Sequence, residues 1–169
     1  RAWRPALATA RSRAYQAVGG VDDGSERPGW PRRVVEYLKG AEVRRTYYQI
    51  SPGEERRIEC QTVGAAWNAP DNLVTVTRKY VDGPFEEEIK SVFYPDGTVE
   101  LHEFEIGGDG QRGTETVLRG APNADRSGIV KGTKTVTVIG VGSEVLARQV
   151  MGVASGLVIE QEVHTTLDE

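Results

Sequence analysis

Cysteine and histidine are scarce in this chain. Cys60 is the lone thiol, and His102 and His164 are the only imidazoles. An intrachain disulfide and a multi-cysteine zinc site are therefore excluded, and little is left for a histidine-based metal site. No run of about 18 apolar residues occurs, so no transmembrane helix is expected. Positive charge is not in excess either: Lys+Arg is 21 against Asp+Glu 25, a net charge of -4. That balance argues against an overall basic nucleic-acid binder, and no DNA partner is expected. No complete catalytic motif is present, and no repeat or low-complexity tract is seen. Acidic residues are missing from one place: residues 1–20 hold Arg1, Arg4, Arg11 and Arg13, and the first acid is Asp22.

What is present suffices for a folded body. The chain has 169 residues, 38% of them hydrophobic, enough for one domain with a core. Its Arg-rich, acid-free opening has the composition of an organellar transit segment, chloroplast ahead of mitochondrion. The chain starts on Arg1 and not on Met, which reads as a start inside a longer precursor. A retained basic arm would meet an acidic partner surface. Trp3 and Tyr15 in that arm gain by docking, because exposed large rings are costly. Arg1, Trp3, Arg4, Arg11, Arg13 and Tyr15 are thus the candidate partner-binding residues. Gly19 to Pro31 is rich in Gly, Pro, Asp and Ser and reads as a linker. The expected organisation is an arm and linker over 1–30 and a single β-barrel domain over 31–169. Pro31 fits a first helical position, Val34, Val35 and Leu38 fall at helical spacing, and Gly40 fits the stop. The spacing predicts one short helix over Pro31 to Lys39.

From Val43 the period changes to two. Val43–Ile50, Arg57–Val63, Leu73–Val81, Glu87–Tyr94, Thr98–Ile106, Thr114–Arg119, Thr133–Ile139, Val145–Met151 and Gly156–Thr166 read as strands. Pro95-Asp96-Gly97 is a strong turn signal between two of them. About nine strands with short Gly- or Pro-containing connections point to an all-β antiparallel barrel or sandwich. The strand from Thr98 changes parity between Val99/Leu101 and Phe104/Ile106, and a bulge near His102 or Glu103 would reconcile the two.

The chemistry on offer is modest. Gly108-Asp109-Gly110-Gln111-Arg112-Gly113 spells a dinucleotide loop, but the following residues read as strand, so a hairpin loop is expected. Gly140-Val141-Gly142 reads as a turn. Cys60 on an alternating strand reads as a small buried hydrophobe. Glu103/Glu105 and Glu160/Glu162 each share a strand face, and the second pair reads as solvated. Glu86-Glu87-Glu88 reads as a charge run that protects a strand edge. Arg148 and Gln161 share faces with apolar residues and would need partners inside a barrel, which makes them the candidate ligand-binding residues. No catalytic residue, metal or cofactor is expected.

A short helix followed by eight or more antiparallel strands resembles the calycins, the superfamily of lipocalins and fatty-acid-binding proteins. Gly40 to Ile50, with Arg44-Arg45-Thr46-Tyr47-Tyr48, looks like the start of the S-type bilin lyases, calycins that carry linear tetrapyrroles. Glu42 stands where those lyases have a tryptophan, and the lipocalin Gly-x-Trp signature is absent. The resemblance implies a barrel closed at one end by the helix, with room for a lipophilic pigment or lipid. Three functions follow. The chain is read first as a non-catalytic accessory or assembly subunit of an organellar complex, docking through its basic arm. The alternatives are a carrier or chaperone of a pigment, tetrapyrrole or lipid, and a small barrel cyclase or isomerase.

Overall fold

The computed structural model describes residues 33–108, 110 and 112–164, together with the backbone of 11–16. The chain divides into two compact units, Arg1–Thr75 and Val76–Glu169. This boundary falls inside a strand. All described regular structure is β. No helix occurs among the described residues, and so none long and apolar enough to cross a membrane.

The first unit holds β1 (Arg11–Gln16), β2 (Arg33–Leu38), β3 (Ala41–Ser51) and β4 (Glu54–Glu59), each antiparallel to the next. The helix expected over Pro31 to Lys39 is instead β2; Pro31 and Arg32 lie outside the described residues. Two turns of helix are marginal unless they pack on something larger. Val34, Val35 and Tyr37 favour extended backbone, and β3 offers them a ladder. The residue read as a helix stop has a different task. Lys39 (φ 52°) and Gly40 (φ 82°) are the two central residues of the β2–β3 hairpin, with Leu38 paired to Ala41. Positive φ at both is the type I′ turn whose twist suits two-residue hairpins.

Val35 and Ile58 are buried on one face and Thr46 on the other. Arg33, Tyr47 and Ile58 stand in one cross-strand row and Val35 faces Arg45, so these residues share a sheet face. β4 ends at Glu59, earlier than the alternation through Val63 predicts. Cys60 still donates its N–H to the Arg45 carbonyl at 3.0 Å, and the chain then leaves the sheet.

β5 (Leu73–Lys79) spans the divide between the units. From Val76 it pairs with β6 (Ile89–Phe93), and the chain continues as β7 (Val99–Ile106), β8 (Arg112–Pro122), β9 (Ile129–Ile139), β10 (Val145–Gly152) and β11 (Val158–Val163). Each strand pairs with its sequence neighbours, all antiparallel. Pro95-Asp96-Gly97 turns β6 into β7 as predicted, with the Asp96 carboxylate accepting from the Thr98 N–H at 2.9 Å and hydroxyl at 2.7 Å. Asn123 to Gly128 turns β8 into β9, with Asp125 holding Ser127 in the same way.

The expected barrel is not formed. In the second unit no pairing joins β5 to β11, and in the first none joins β1 to β4, among the described residues. A meander closes only where strand tilt and register stagger allow its ends to meet. The β7 bulge is also displaced. Register runs unbroken from Val99 to Glu105, and the shift comes at Glu105/Ile106, where Gly113 is the extra residue on β8. The parity change has another cause. Val99 is buried on one face, while Phe104 is covered on the opposite face by Tyr80 and Phe85, with ring centroids 6.0 and 5.1 Å away.

Candidate functional site

Three places in the structure gather chemistry. The first is the segment 60–72, strapped over β3 of the first unit. Arg45 meets Glu42 through two hydrogen bonds, Nη2 to Oε2 at 2.7 Å and Nε to Oε1 at 3.0 Å. The same guanidinium donates to the Gly64 carbonyl at 3.2 Å, and the Glu42 carboxylate accepts the Gly64 N–H at 3.1 Å. Tyr47 donates to the Ala65 carbonyl at 3.2 Å. The Arg45 guanidinium holds the Glu42 carboxyl below its ordinary range, and Glu42 in turn holds the Arg45 proton more firmly. Asn72 closes the strap by donating to the Ala66 and Trp67 carbonyls at 2.9 and 3.0 Å. Cys60 sits under this strap, its thiol directed at the Ala65 carbonyl at 3.6 Å. Burial pushes that thiol up, which disfavours the thiolate a nucleophile needs. Neither histidine belongs to this unit.

The second place is a polar cluster on β7 and β8. Direct pairing puts Glu100 beside Arg119 and His102 beside Val117, so Glu100, His102, Glu115 and Arg119 lie on one sheet face. His102 Nε2 is 2.9 Å from Glu100 Oε1, and Nδ1 is 3.4 Å from Glu115 Oε1. Glu100 also accepts from Tyr94 at 3.3 Å and faces Arg119 at 3.7 Å. The Tyr94 phenol is pushed up, by burial first and then by Glu100. The Tyr80 hydroxyl donates to the His102 carbonyl at 2.9 Å, tying this face to the aromatic trio of Tyr80, Phe85 and Phe104. The arrangement fixes the imidazole ring between two carboxylates. Sequence reading passed over it, although Glu100 and His102 at i, i+2 on an alternating strand were its visible half.

The third place lies where the β5–β6, β7–β8 and β9–β10 connections come together. In a meander, alternate loops fall at the same end of the sheet. They enclose an open concavity of about 430 Å³ lined by Phe85, Glu88, Ile106, Gly110, Arg112 and Ile139 among others. Arg112 pairs with Glu88 and lies 4.4 Å over the Phe104 ring. Of the dinucleotide-like spelling, Gly108 and Gly110 lie in the connection from β7 to β8 and Arg112 and Gly113 already stand on β8, with no helix following, and Gly140 to Gly142 lies in a turn. Glu88, read as part of a charge run, is the partner of Arg112.

The expected site residues are dispersed. Arg148 stands on β10 and meets Glu160 at 3.3 Å, with 41% and 60% of the two side chains exposed. Gln161 is exposed on β11 opposite Gln149. Glu162 of the same outer strand pairs at 3.2 Å with His164, just past the strand's end. Arg1, Trp3 and Arg4 lie outside the described residues. Arg11, Arg13 and Tyr15 stand on β1, opposite Leu38, Glu36 and Val34. That stretch of the arm is laid antiparallel along β2. Among the described residues, no group of three or more His, Cys, Asp or Glu could hold a metal ion.

The outer strands of the second unit carry the remaining feature. Rows of directly paired residues run Glu105–Thr114–Val138–Ala147–Val163 and Leu101–Leu118–Lys134–Met151–Val158 across β7 to β11. Both rows lie on one face. Its inner end is covered, with Val99 1% exposed, but Val138, Val158 and Val163 are 38%, 51% and 61% exposed. Every residue of β11 is exposed. A sheet ordinarily buries one face against a second layer. Comparison with family models, curated proteins and solved structures finds no match to this chain.

Proposed function

We propose that this chain is a non-catalytic accessory or assembly subunit that presents an open antiparallel sheet to a protein partner. One observation carries the reading: the valine-bearing face of β9–β11 stays exposed where a folded sheet needs cover. Val138, Val158 and Val163 are exposed on that face, which they share with the polar Glu105, Lys134 and Gln161, the mixture of apolar and polar side chains found in a protein interface. The organellar setting rests on the composition of residues 1–20. Carriage of a lipophilic ligand, and barrel catalysis, drew on an enclosed interior, and neither unit closes into a barrel.

The test is purification of the chain from its source under native conditions, followed by mass spectrometry. The wild-type chain is expected to bring a stoichiometric protein partner. The double variant Val138→Lys/Val163→Lys, with unchanged circular dichroism, is expected to lose it. A wild-type chain that purifies without a partner, or a variant that keeps one, refutes the reading.

A further inference from the structure

β11 is a sheet edge. Among the described residues it pairs with β10 alone, and its outward N–H and C=O groups face no other strand. Natural proteins protect such edges because any compatible strand can add to them. The protection here is selective. Glu160 and Glu162 stand two apart on β11, both about half exposed or more. An antiparallel pairing of two β11 strands centred on Gln161 sets Glu160 opposite Glu162 twice, and like charges directly opposite repel. The edge therefore rejects its own copy and favours a strand with cations two positions apart.

The chain contains such a strand. β1 carries Arg11 and Arg13, and among the described residues it pairs with β2 alone. Set antiparallel to β11 with Arg11 opposite Glu162, the register places Ser12 with Gln161, Arg13 with Glu160, Ala14 with Ile159 and Tyr15 with Val158. Both charged pairs are complementary, the polar residues meet, and the apolar residues meet.

We infer that copies of this chain associate head to tail, the β1 strand of one copy adding to the β11 edge of the next. This rests on the assembly reading above and names a second copy as the occupant of the edge. Such an interface is heterologous: each copy offers one edge and receives on the other, so association continues copy by copy, as a ring where the rotation closes and as a filament where it does not.

Sedimentation of the full chain over a concentration series tests this. The wild type is expected to form species larger than a dimer, and about 1 M salt is expected to weaken them, since the Debye length falls to about 3 Å there. Glu160→Lys/Glu162→Lys and Arg11→Glu/Arg13→Glu are each expected to weaken self-association at least about tenfold. An equimolar mixture of the two variants restores both complementary junctions and is expected to assemble as the wild type does. A wild type that stays monomeric overturns the inference, as does assembly indifferent to salt and to both variants. Should one variant fail to fold, the wild-type salt series decides alone. Loss of the heterologous partner in Val138→Lys/Val163→Lys with intact self-association upholds both claims. Monomeric wild type with a retained partner upholds only the assembly reading.

Discussion

Gly120 and Gly132 face each other across β8 and β9, next to Val99, which is 1% exposed. Their φ values are +149° and +155°, a region that side chains rarely enter. A Cβ on Gly120 would fall on the Lys131 carbonyl oxygen and within 2.7 Å of the Gly132 Cα. One on Gly132 would fall on the Arg119 carbonyl oxygen and within 2.8 Å of the Gly120 Cα. These obstacles are backbone and cannot rotate aside. Gly120→Ala therefore carries about 1–3 kcal/mol of conformational strain and about 1–3 kcal/mol for displaced packing. The stiffer unfolded chain returns only about 0.4–1 kcal/mol. A net loss of about 3 kcal/mol is expected, a large part of the stability of an ordinary domain. Urea denaturation followed by circular dichroism reads it as a fall in midpoint at constant slope. Two controls separate the contributions. Gly97 has φ +84° with nothing within 4 Å, so Gly97→Ala measures strain alone, about 1–2 kcal/mol. Gly108 also has open space and no positive φ, so Gly108→Ala stays within about 0.5 kcal/mol of wild type. If Gly120→Ala is no worse than Gly108→Ala, the close-approach argument is wrong.

Glu42→Gln is expected to lower stability by about 1–2 kcal/mol through the lost charge-assisted bonds to Arg45, and hydrogen exchange at the Gly64 amide should quicken. Unchanged protection at Gly64 would show that Glu42 does not hold the 60–72 strap. Cys60 should react slowly with iodoacetamide at neutral pH, because burial raises its thiol pKa, and Cys60→Ala should change stability by about 1 kcal/mol. Alkylation as fast as a free thiol contradicts this. Asp96 and Asp125 are held below their ordinary pKa first by hydrogen bonds from the Thr98 and Ser127 side chains. A carboxylate depressed in the folded state contributes stability that is complete above its unfolded pKa and lost as pH falls through the folded one. Asp96→Asn/Asp125→Asn should accordingly flatten the acid limb of a thermal-stability profile below the ordinary aspartate range. An acid limb of unchanged slope sinks the assignment.

The β class was legible because alternation acts locally: each of Val43–Ile50, Leu73–Val81 and Thr133–Ile139 shows which residues oppose one another without reference to another strand. The hairpin at Pro95-Asp96-Gly97 was legible for the same reason, since its residues set their own backbone angles. So was the hairpin reading of Gly108 to Gly113, where the absence of a following helix decided the matter. Arg32 to Lys39 misled because Val34, Val35 and Leu38 satisfy a helical spacing and a strand equally over so short a length. The neighbour decided it: once β3 lay alongside, extended backbone gained a full ladder and Lys39-Gly40 gained a turn.

Side-chain pairings across strands were not legible at all. Nothing in the order of residues brings Glu115 to His102, Glu88 to Arg112 or Glu160 to Arg148, because cross-strand register is fixed by turn lengths and bulges such as the one at Gly113. Barrel closure was illegible for a related reason. The sequence by itself determined the β class from Val43 onward, roughly where those nine strands turn, and that one cysteine and two histidines leave little metal chemistry. Only the tertiary structure decided that neither meander meets its own far edge, that Arg148 pairs across to β11, and that the valine rows of β9–β11 stay open. Strand identity is a property of successive residues, whereas closure and cover depend on the sum of small twists and register shifts along the whole sheet.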